Sequence, residues 1–277
     1  MTERFAADWL ALREPFDHAA RSVALARRLA DRLPRRPRIV ELAGGTGSLF
    51  RFLAPVIGRG QDWLVFDADA ALLDEAFGRT AAWGRRQGFA ATATGDTLLL
   101  STPRGLWRMQ AVQRDLGRDV DRLDANADAV VCSALLDLVS AAWLARLRDT
   151  LTVPFLACLT ADGRDTWRPR HPFDALVRTA FHRDMRRDKG FGPALGVAAF
   201  AALAARGVTA SAPSDWHIPR TALRMQRALI VGIADAARDA APQAVAAWQA
   251  ARLRQALRGR LAITIGHRDI LALPPGG

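Results

Sequence analysis

The 277-residue sequence contains few of the residues on which several classes of protein depend. It has two cysteines, no tyrosine and a single lysine, Lys189. Two cysteines are too few for a disulfide scaffold or a four-cysteine zinc site. The longest stretch of small and apolar residues, 194–205, is too short and too rich in alanine to span a bilayer. The N-terminal stretch has neither the cationic nor the apolar part of a signal peptide. We therefore expect a soluble, cytoplasmic, globular protein without a membrane partner.

The charge balance is strongly basic, with 39 lysines and arginines against 28 aspartates and glutamates and a formal net charge of +11. Such a balance suggests a polyanionic partner such as nucleic acid. The arginines are scattered along the chain, however, and a skewed genome composition also favours arginine over lysine. A solvated arginine surface is the favoured interpretation, and a nucleic-acid partner is the alternative. The sequence does not indicate an oligomeric state.

The hydrophobic pattern predicts helices and strands that alternate along one domain. Residues 5–33 have helical periodicity, and we expect Pro15 to split them into two helices. A short apolar run, a glycine turn, a helix and a second apolar run then form a βαβ unit, which implies a parallel sheet. We expect residues 89–114 to form a β-hairpin whose last limb is the third main strand. The predicted main strands lie at residues 38–42, 63–66, 106–113, 129–133, 154–159, 208–214 and 261–265.

The clearest chemical signal is the glycine turn between the first predicted strand and the next helix. It reads Glu41-Leu-Ala-Gly-Gly-Thr-Gly47. Glycine lets the backbone approach a ligand closely, and the following helix offers free N–H groups and a positive dipole end. This arrangement suits a nucleotide-like cofactor, although a turn that only permits close strand–helix packing would share the pattern. A dinucleotide fingerprint is disfavoured because Phe50 occupies the position of its third glycine.

Acidic residues follow the second and third predicted strands. Asp67 ends the second strand, where a carboxylate in an open α/β sheet accepts hydrogen bonds from ribose hydroxyls. The other role available there, capping of the next helix, suits Asp69 better. Asp115 follows the third strand and could accept from an adenine amino group, or it could be an ordinary loop acid. The strand ends of such a sheet meet at one crevice, so the sequence predicts a binding site there.

These residues together resemble the class I S-adenosylmethionine-dependent methyltransferases. Glu41, Ala43, Gly45 and Gly47 match the first motif of that superfamily, with alanine where the first glycine is usual. Asp67 matches the acid of the second motif, and Asp115-Leu116 matches the adenine-binding position. The segment 128–136 matches the fourth strand and the loop beside the methyl group. By this resemblance the cofactor is S-adenosylmethionine, and the cofactor-binding residues are Arg21, Glu41, Ala43, Gly44, Gly45, Gly47, Asp67, Ala68, Asp115, Leu116 and Ser133.

The resemblance also implies the architecture. We expect a Rossmann-like, seven-stranded, mostly parallel sheet with an antiparallel edge strand and helices on both faces. The β-hairpin precedes strand three, and a lid-like insertion follows strand five. Strands six and seven would form the antiparallel edge. The parts of this single domain are a helical cap (1–37), a cofactor-binding core (38–160), the insertion (161–193) and the C-terminal half of the sheet with its helices (194–277).

Several polar residues are candidates for handling the methyl acceptor. Asp137 lies just after strand four and could orient or deprotonate a substrate, or cap the following helix. His182 is the candidate base in the insertion, although Arg178, His182 and Arg186 could simply line an exposed helix face. Lys189 is a candidate substrate contact, with random drift as the alternative. Arg13 or Arg21 could pair with the cofactor carboxylate or with Glu14 and Asp17, and Arg13 is also a candidate substrate contact. The histidines have no metal-ligand spacing, so no metal site is predicted.

Three functions remain open from the sequence. The favoured one is in-line methyl transfer to a small-molecule acceptor, because the insertion resembles a lid and no RNA-binding module is evident. A nucleic-acid or protein methyltransferase that uses the arginine-rich surface is the second, although no Asn-Pro-Pro-Tyr motif follows strand four. A catalytically silent cofactor-binding protein is the third. The sequence does not identify the acceptor atom.

Overall fold

The computed structural model describes residues 7–123, 125–204 and 210–274. The helices of this part are α1 (Ala7–Ala20), α2 (Val23–Ala30), α3 (Ser48–Ile57), α4 (Ala70–Arg86), α5 (Leu116–Asp119), α6 (Ala141–Thr150), α7 (Asp174–Met185), α8 (Ala199–Ala204), α9 (Leu223–Ala237) and α10 (Pro242–Leu257). The strands are β1 (Arg38–Leu42), β2 (Gln61–Asp67), β3 (Ala90–Thr94), β4 (Thr97–Thr102), β5 (Gly105–Gln113), β6 (Ala129–Ser133), β7 (Phe155–Arg168), β8 (Ala210–Pro213), β9 (Trp216–Ile218) and β10 (Ala262–Ala272). No helix of the described part is long and apolar enough to cross a membrane.

The strands form one mixed sheet with the order β3-β4-β5-β2-β1-β6-β7-β10-β8, and β9 also pairs with β10. The strands β5, β2, β1, β6 and β7 are parallel, as predicted. The hairpin of β3 and β4 precedes β5, also as predicted. The antiparallel strand β10 lies between β7 and β8, so the outermost strand is β8. Residues 208 and 209 of the predicted sixth strand lie outside the described residues.

Two apolar layers place helices on both faces of the sheet. One layer packs α2, α3, α4, α9 and α10 against the sheet, and Phe50 and Trp248 are among its fully buried side chains. The other packs α6 and α8 against the opposite face, around Trp143 and Phe155. Because apolar side chains alternate between the two faces of buried parallel strands, both layers draw on the same strands.

The break between the first two helices falls at Ser22, not at Pro15. Pro15 lies inside the continuous helix α1. Ser22 caps α2 by accepting a hydrogen bond from the Leu25 N–H at 3.2 Å. The Ser22 N–H donates to the buried carboxylate of Asp269 at 2.6 Å. A capping hydroxyl and a tertiary acceptor therefore set this helix boundary.

The segment predicted as an insertion begins later than residue 161. β7 continues to Arg168 and pairs with Ala262–Ile265 of β10, so its polar second half belongs to the sheet. Helix α7 packs on the body of the protein through buried Val177 and Ala180. Asp174, at its start, accepts hydrogen bonds from Trp248 and Arg252 of α10. Only the segment after α7 extends toward the crevice at the strand ends.

Candidate active site

A cavity of about 540 Å³ lies where the carboxyl ends of β1, β2, β5 and β6 meet. Its floor comes from the turns after these strands, and α1 and the segment after α7 provide walls. Both acidic and basic side chains border the cavity, together with backbone groups of the turns. The lining residues are Leu10, Arg13, Asp17, Arg21, Glu41, Ala43–Thr46, Ser48, Leu49, Asp67–Asp69, Leu72, Arg114–Leu116, Ser133–Leu135, Leu138, Lys189 and Phe191.

The turn after β1 is built from alternating left-handed residues. Ala43, Gly45 and Gly47 have φ values of 52°, 53° and 78°. Three N–H groups of this turn are paired within the protein: that of Gly44 donates to the Phe66 carbonyl at 3.0 Å, that of Gly45 to Asp67 at 2.8 Å, and that of Gly47 to the Gly44 carbonyl at 2.9 Å. A Cβ added to Gly44 would collide with Val65, so glycine is required there as well. Gly47 does not line the cavity; it precedes α3 and sets the direction of that helix.

Asp67 holds the turn in this shape. Its Oδ2 accepts a hydrogen bond from the Gly45 N–H at 2.8 Å, and its Oδ1 accepts one from the Asp69 N–H at 3.0 Å. Burial raises the pKa of Asp67, although both hydrogen bonds oppose the shift. Each carboxylate oxygen can accept a further hydrogen bond, so the side chain can still serve a ligand in the cavity.

The structure separates the roles of the other acids at this end of the cavity. Asp69 caps α4 by accepting from the Ala71 N–H at 3.0 Å. Asp115 caps α5 by accepting from the Gly117 N–H at 2.9 Å. Both residues, together with Ala68 and buried Leu116, also line the cavity. Asp115 is therefore a helix cap that also borders the site.

Two buried polar atoms near the turn have no partner within the described part of the chain. Glu41 Oε2 is one, and Arg21 Nε is the other. The remaining nitrogens of Arg21 donate to Ser48 Oγ at 3.1 Å and to Ser133 Oγ at 3.0 Å. Burial raises the pKa of Glu41 to about 8, against the opposing charges of Arg21 and Arg51. Buried polar groups are normally paired, so a ligand that brought both a donor and an acceptor would satisfy these two atoms.

Helix α1 lies over the turn as a cap. Asp17 is buried, accepts from Arg13 Nε at 3.0 Å and accepts from Trp216 Nε1 at 3.0 Å. The Arg13 guanidinium also lies over the Trp216 ring, 5.1 Å from its centroid. Glu14 makes a two-point ion pair with Arg51 of α3. These ion pairs are largely buried, in contrast to the surface pairs that are one alternative from the sequence.

The far wall of the cavity contains some of the proposed acceptor residues. Lys189 and Phe191 line it, and Lys189 lies 3.8 Å from the carboxylate of Asp184. Asp137 itself is not among the lining residues; it lies between Leu135 and Leu138, which are, and its buried Oδ1 has no described partner. Burial raises the pKa of Asp137 to about 6, and the charges of Arg13 and Lys189 oppose that shift. Asp137 does not cap the following helix, because Ser140 fills that role.

His182 does not reach the cavity, which corrects the assignment of this residue as a candidate base. It lies on the half-buried side of α7, beside Gly163 of β7. Its charged neighbours are Asp165 and Arg178, and burial lowers its pKa. The reason is the length of β7: the extended strand carries α7 away from the strand ends before the chain returns at Lys189.

Three residues that the sequence did not single out have clear roles. Arg51 donates to the Thr46 carbonyl at 2.7 Å and so links the turn to Glu14. Trp216 supports the underside of α1. Phe191 lines the cavity. An arginine in the first turn of the helix after a glycine turn was a usable signal, but nothing local marks Trp216 as a neighbour of α1.

Comparison with known proteins bears on the fold. No protein-family model matches the sequence, and no curated protein matches it. One similar solved structure is a candidate type II methyltransferase from Anaeromyxobacter dehalogenans, with 17% identity and a TM-score of 0.50 over 92% of this chain and 97% of that one. Another is a candidate methyltransferase from Bacillus halodurans C-125, with 14% identity and a TM-score of 0.50 over 92% of this chain and 99% of that one. Together with the strand order, these similarities establish the Rossmann-like fold of class I methyltransferases.

Proposed function

We propose that this protein is an S-adenosylmethionine-dependent methyltransferase whose acceptor is a small molecule. One observation carries the proposal: the left-handed turn 43–47 is held by Asp67 at the edge of a cavity in which Glu41 Oε2 and Arg21 Nε lack partners. A ligand with an amino-acid end would give a partner to both atoms.

The residues at the turn fit the amino-acid end of the cofactor. A cofactor ammonium group needs an acceptor, which Glu41 Oε2 offers, and a carboxylate needs a donor, which Arg21 Nε offers. A guanidinium already fixed by Ser48 and Ser133 is oriented before the ligand arrives. Pre-oriented groups lower the entropic cost of binding.

The residues at the other end fit the adenosine part. Asp67 would accept from ribose hydroxyls while it keeps its bonds to the turn. The half-exposed side chain of Asp115 and the apolar side chain of Leu116 would border the adenine ring. Ala68 and Leu72 line the same part of the cavity and would add apolar contacts to the ring.

The residues of the chain contribute mainly positioning to the reaction. When bound, the cofactor supplies an electrophilic methyl group on a sulfonium. The chain's part is to hold the acceptor in line with that group, which accounts for most of the rate of a displacement reaction. Asp137 lies between the lining residues Leu135 and Leu138, and its carboxylate would turn toward the cavity, accept a hydrogen bond from a hydroxyl or amine of the acceptor and draw its proton away as the new bond forms. Arg13, Lys189 and Phe191 would contact the rest of that molecule.

The state of the arginines around the cavity favours a small acceptor. The volume of about 540 Å³ is within the usual range of small-molecule sites, roughly 300–1,000 Å³, but the cofactor would occupy part of it, so the volume limits only the reacting part of the acceptor. Arg13 and Arg21 are engaged by Asp17, Ser48 and Ser133, and Arg114 lies over the Phe66 ring. These arginines therefore stabilise the fold around the site and are not presented to a polyanion.

Calorimetry and labelled methyl transfer test the proposal. We expect S-adenosylmethionine and S-adenosylhomocysteine to bind with micromolar affinity, about −8 kcal/mol. With methyl-labelled cofactor, label should enter the small-molecule fraction of a cell extract and not its RNA or protein. Heat with a nicotinamide dinucleotide but with neither of these ligands would reject the proposed cofactor. Label confined to RNA or protein would reject the small-molecule acceptor, and binding without transfer to any fraction would favour a catalytically silent protein.

A further inference from the structure

The segment that brings Lys189 and Phe191 to the cavity is in direct contact with the wall assigned to adenine. A Cβ added to Gly117, next to Leu116, would lie 2.7 Å from the Gly190 carbonyl oxygen. Only a glycine allows so close an approach of the two backbones. The acceptor side and the adenine side of the cavity therefore share a packed boundary.

The segment around Phe191 is itself well defined. Asp188 Oδ1 accepts hydrogen bonds from the Gly190 N–H at 2.7 Å and from the Gly192 N–H at 3.0 Å. Further along, the Leu195 N–H donates to the Val139 carbonyl at 2.8 Å. These bonds shape residues 188–192 as one turn, which we call the acceptor turn. The two bonds from Asp188 lie inside residues 188–192, so the acceptor turn has a shape of its own.

Trp143 of α6 connects the two sides of the boundary. Its buried indole Nε1 donates to the Leu116 carbonyl at 2.7 Å. The same ring meets Phe191 edge-on, with 5.8 Å between centroids and an interplanar angle of 78°. A displacement of the Leu116 backbone is therefore transmitted through a rigid ring to a residue that lines the acceptor side of the cavity.

We infer that Trp143 is a positioning residue that sets the acceptor turn according to the occupancy of the adenine wall. This inference rests on the proposed function, since it takes Asp115 and Leu116 as the adenine contacts. Its consequence is that a ligand at the adenine wall changes the stability of the turn that carries Lys189 and Phe191, two residues of the cavity lining.

Hydrogen exchange with S-adenosylhomocysteine as the probe tests this coupling without a known acceptor. In the unaltered protein, the ligand should slow exchange both in residues 115–119 and in residues 188–193. In Trp143→Phe, which keeps a ring but removes the donor to Leu116, the slowing should persist in 115–119 and fall about fivefold in 188–193, the effect of one lost hydrogen bond. The matched control is Trp107→Phe, because Trp107 is also buried but its Nε1 has no described partner. This control should leave both responses unchanged.

A second variant guards against a general loss of structure in Trp143→Phe. Phe191→Leu keeps an apolar side chain on the acceptor turn but removes the edge-on contact with Trp143. It should reduce the ligand-induced slowing of exchange in residues 188–193 as Trp143→Phe does. Equal slowing of 188–193 in all variants would overturn the inference while leaving the proposed function intact. The same holds if the ligand slows 115–119 but never 188–193 in the unaltered protein. Absence of any binding would overturn both proposals.

Discussion

Both carboxylate oxygens of Glu14 in α1 lie 2.7 Å from the guanidinium nitrogens of Arg51 in α3. Arg51 is buried, and its remaining nitrogen donates to the Thr46 carbonyl in the glycine turn at 2.7 Å. The helix that covers the cavity is therefore bonded to the turn that forms its floor through one side chain. Two-point arginine–carboxylate pairs are the stronger kind of ion pair, so this link organises the site.

Loss of this ion pair should destabilise the protein. Glu14→Gln should lower the free energy of unfolding by about 2 kcal/mol, because it weakens charged hydrogen bonds to a buried arginine. The control Glu75→Gln breaks the exposed pair with Arg79 at 2.7 Å and should cost about 0.5 kcal/mol or less. Urea denaturation at pH 7 compares the two variants. A cost for Glu14→Gln no larger than that of the control would contradict the role given to the pair.

The same pair predicts a dependence of stability on pH. Burial alone would raise the pKa of Glu14, but the hydrogen bond and charge of Arg51 outweigh it and lower that pKa. An acid with a depressed folded-state pKa contributes its stability above its unfolded pKa and loses it as pH falls through the folded value. The stability difference between the unaltered protein and Glu14→Gln should therefore shrink below pH 4.5, the ordinary pKa of glutamate.

Asp67 and Asp69 should differ in what their loss affects. Asp67→Ala removes the acceptor for the Gly45 N–H and for ribose, so binding of S-adenosylhomocysteine should weaken by about 1–3 kcal/mol. Asp69→Ala removes the cap of α4 and should cost about 1 kcal/mol of stability with a smaller effect on binding. Calorimetry and thermal unfolding of both variants test the assignment. An exchange of the two effects would show that Asp69 is the ligand contact.

Ala43 is strained, and glycine should relieve the strain. An alanine in the left-handed region costs roughly 1–2 kcal/mol, and replacement by glycine removes this cost. Part of the resulting gain in stability is lost again, because glycine has more conformational freedom in the unfolded chain. Ala43→Gly should therefore raise the free energy of unfolding by about 0.5 kcal/mol. The control Ala246→Gly, at an exposed position within α10, should lower it by about 1 kcal/mol. If both variants lose stability alike, the φ of 52° at Ala43 is not strained.

Cofactor binding should release a proton from Glu41. Burial raises the pKa of Glu41 to about 8, so the side chain is mostly protonated at pH 7 in the free protein. An ammonium group favours the ionised form. Calorimetry of S-adenosylhomocysteine in buffers of different ionisation enthalpy should therefore show release of close to one proton at pH 7, and affinity should rise as pH approaches 8. Glu41→Gln should abolish the release; release of the same size in that variant would assign the proton to another group.

Asp137 and His182 should differ in their effect on methyl transfer. Once an acceptor is known, Asp137→Asn should reduce turnover by about 10²-fold or more, the usual contribution of a positioned base. Burial raises the pKa of Asp137 to about 6 against the charges of Arg13 and Lys189. Turnover of the unaltered protein should therefore rise as pH increases through about 6, and this rise should be absent in Asp137→Asn. His182→Ala should leave turnover and its pH profile unchanged, because His182 lies beside Gly163 and no residue of α7 lines the cavity, whereas Leu135 and Leu138 on either side of Asp137 do. The opposite result would restore His182 as the base.

The sequence alone predicted the parts of the protein whose signals are local. The turn from Glu41 to Gly47, the strand before it and the helix after it are specified within about twenty residues by periodicity and glycine placement. The parallel strands and the hairpin before β5 are of the same kind. Strand ends of a parallel sheet meet at one edge, so the residues lining the floor of the cavity could be predicted from strand positions.

Only the tertiary structure decided which distant side chains meet. No local pattern marks the partners that lie 27 to 199 residues apart: Glu14 and Arg51, Asp17 and Trp216, and Trp143 and Leu116. The position of His182 depended on how far β7 continued along β10, because each added strand residue carries the next helix about 3 Å further from the strand ends. The pKa shifts of Glu41 and Asp137 likewise follow from burial under elements that come from other parts of the chain. Periodicity determines which residues face the core, whereas the path of the whole chain determines what they face.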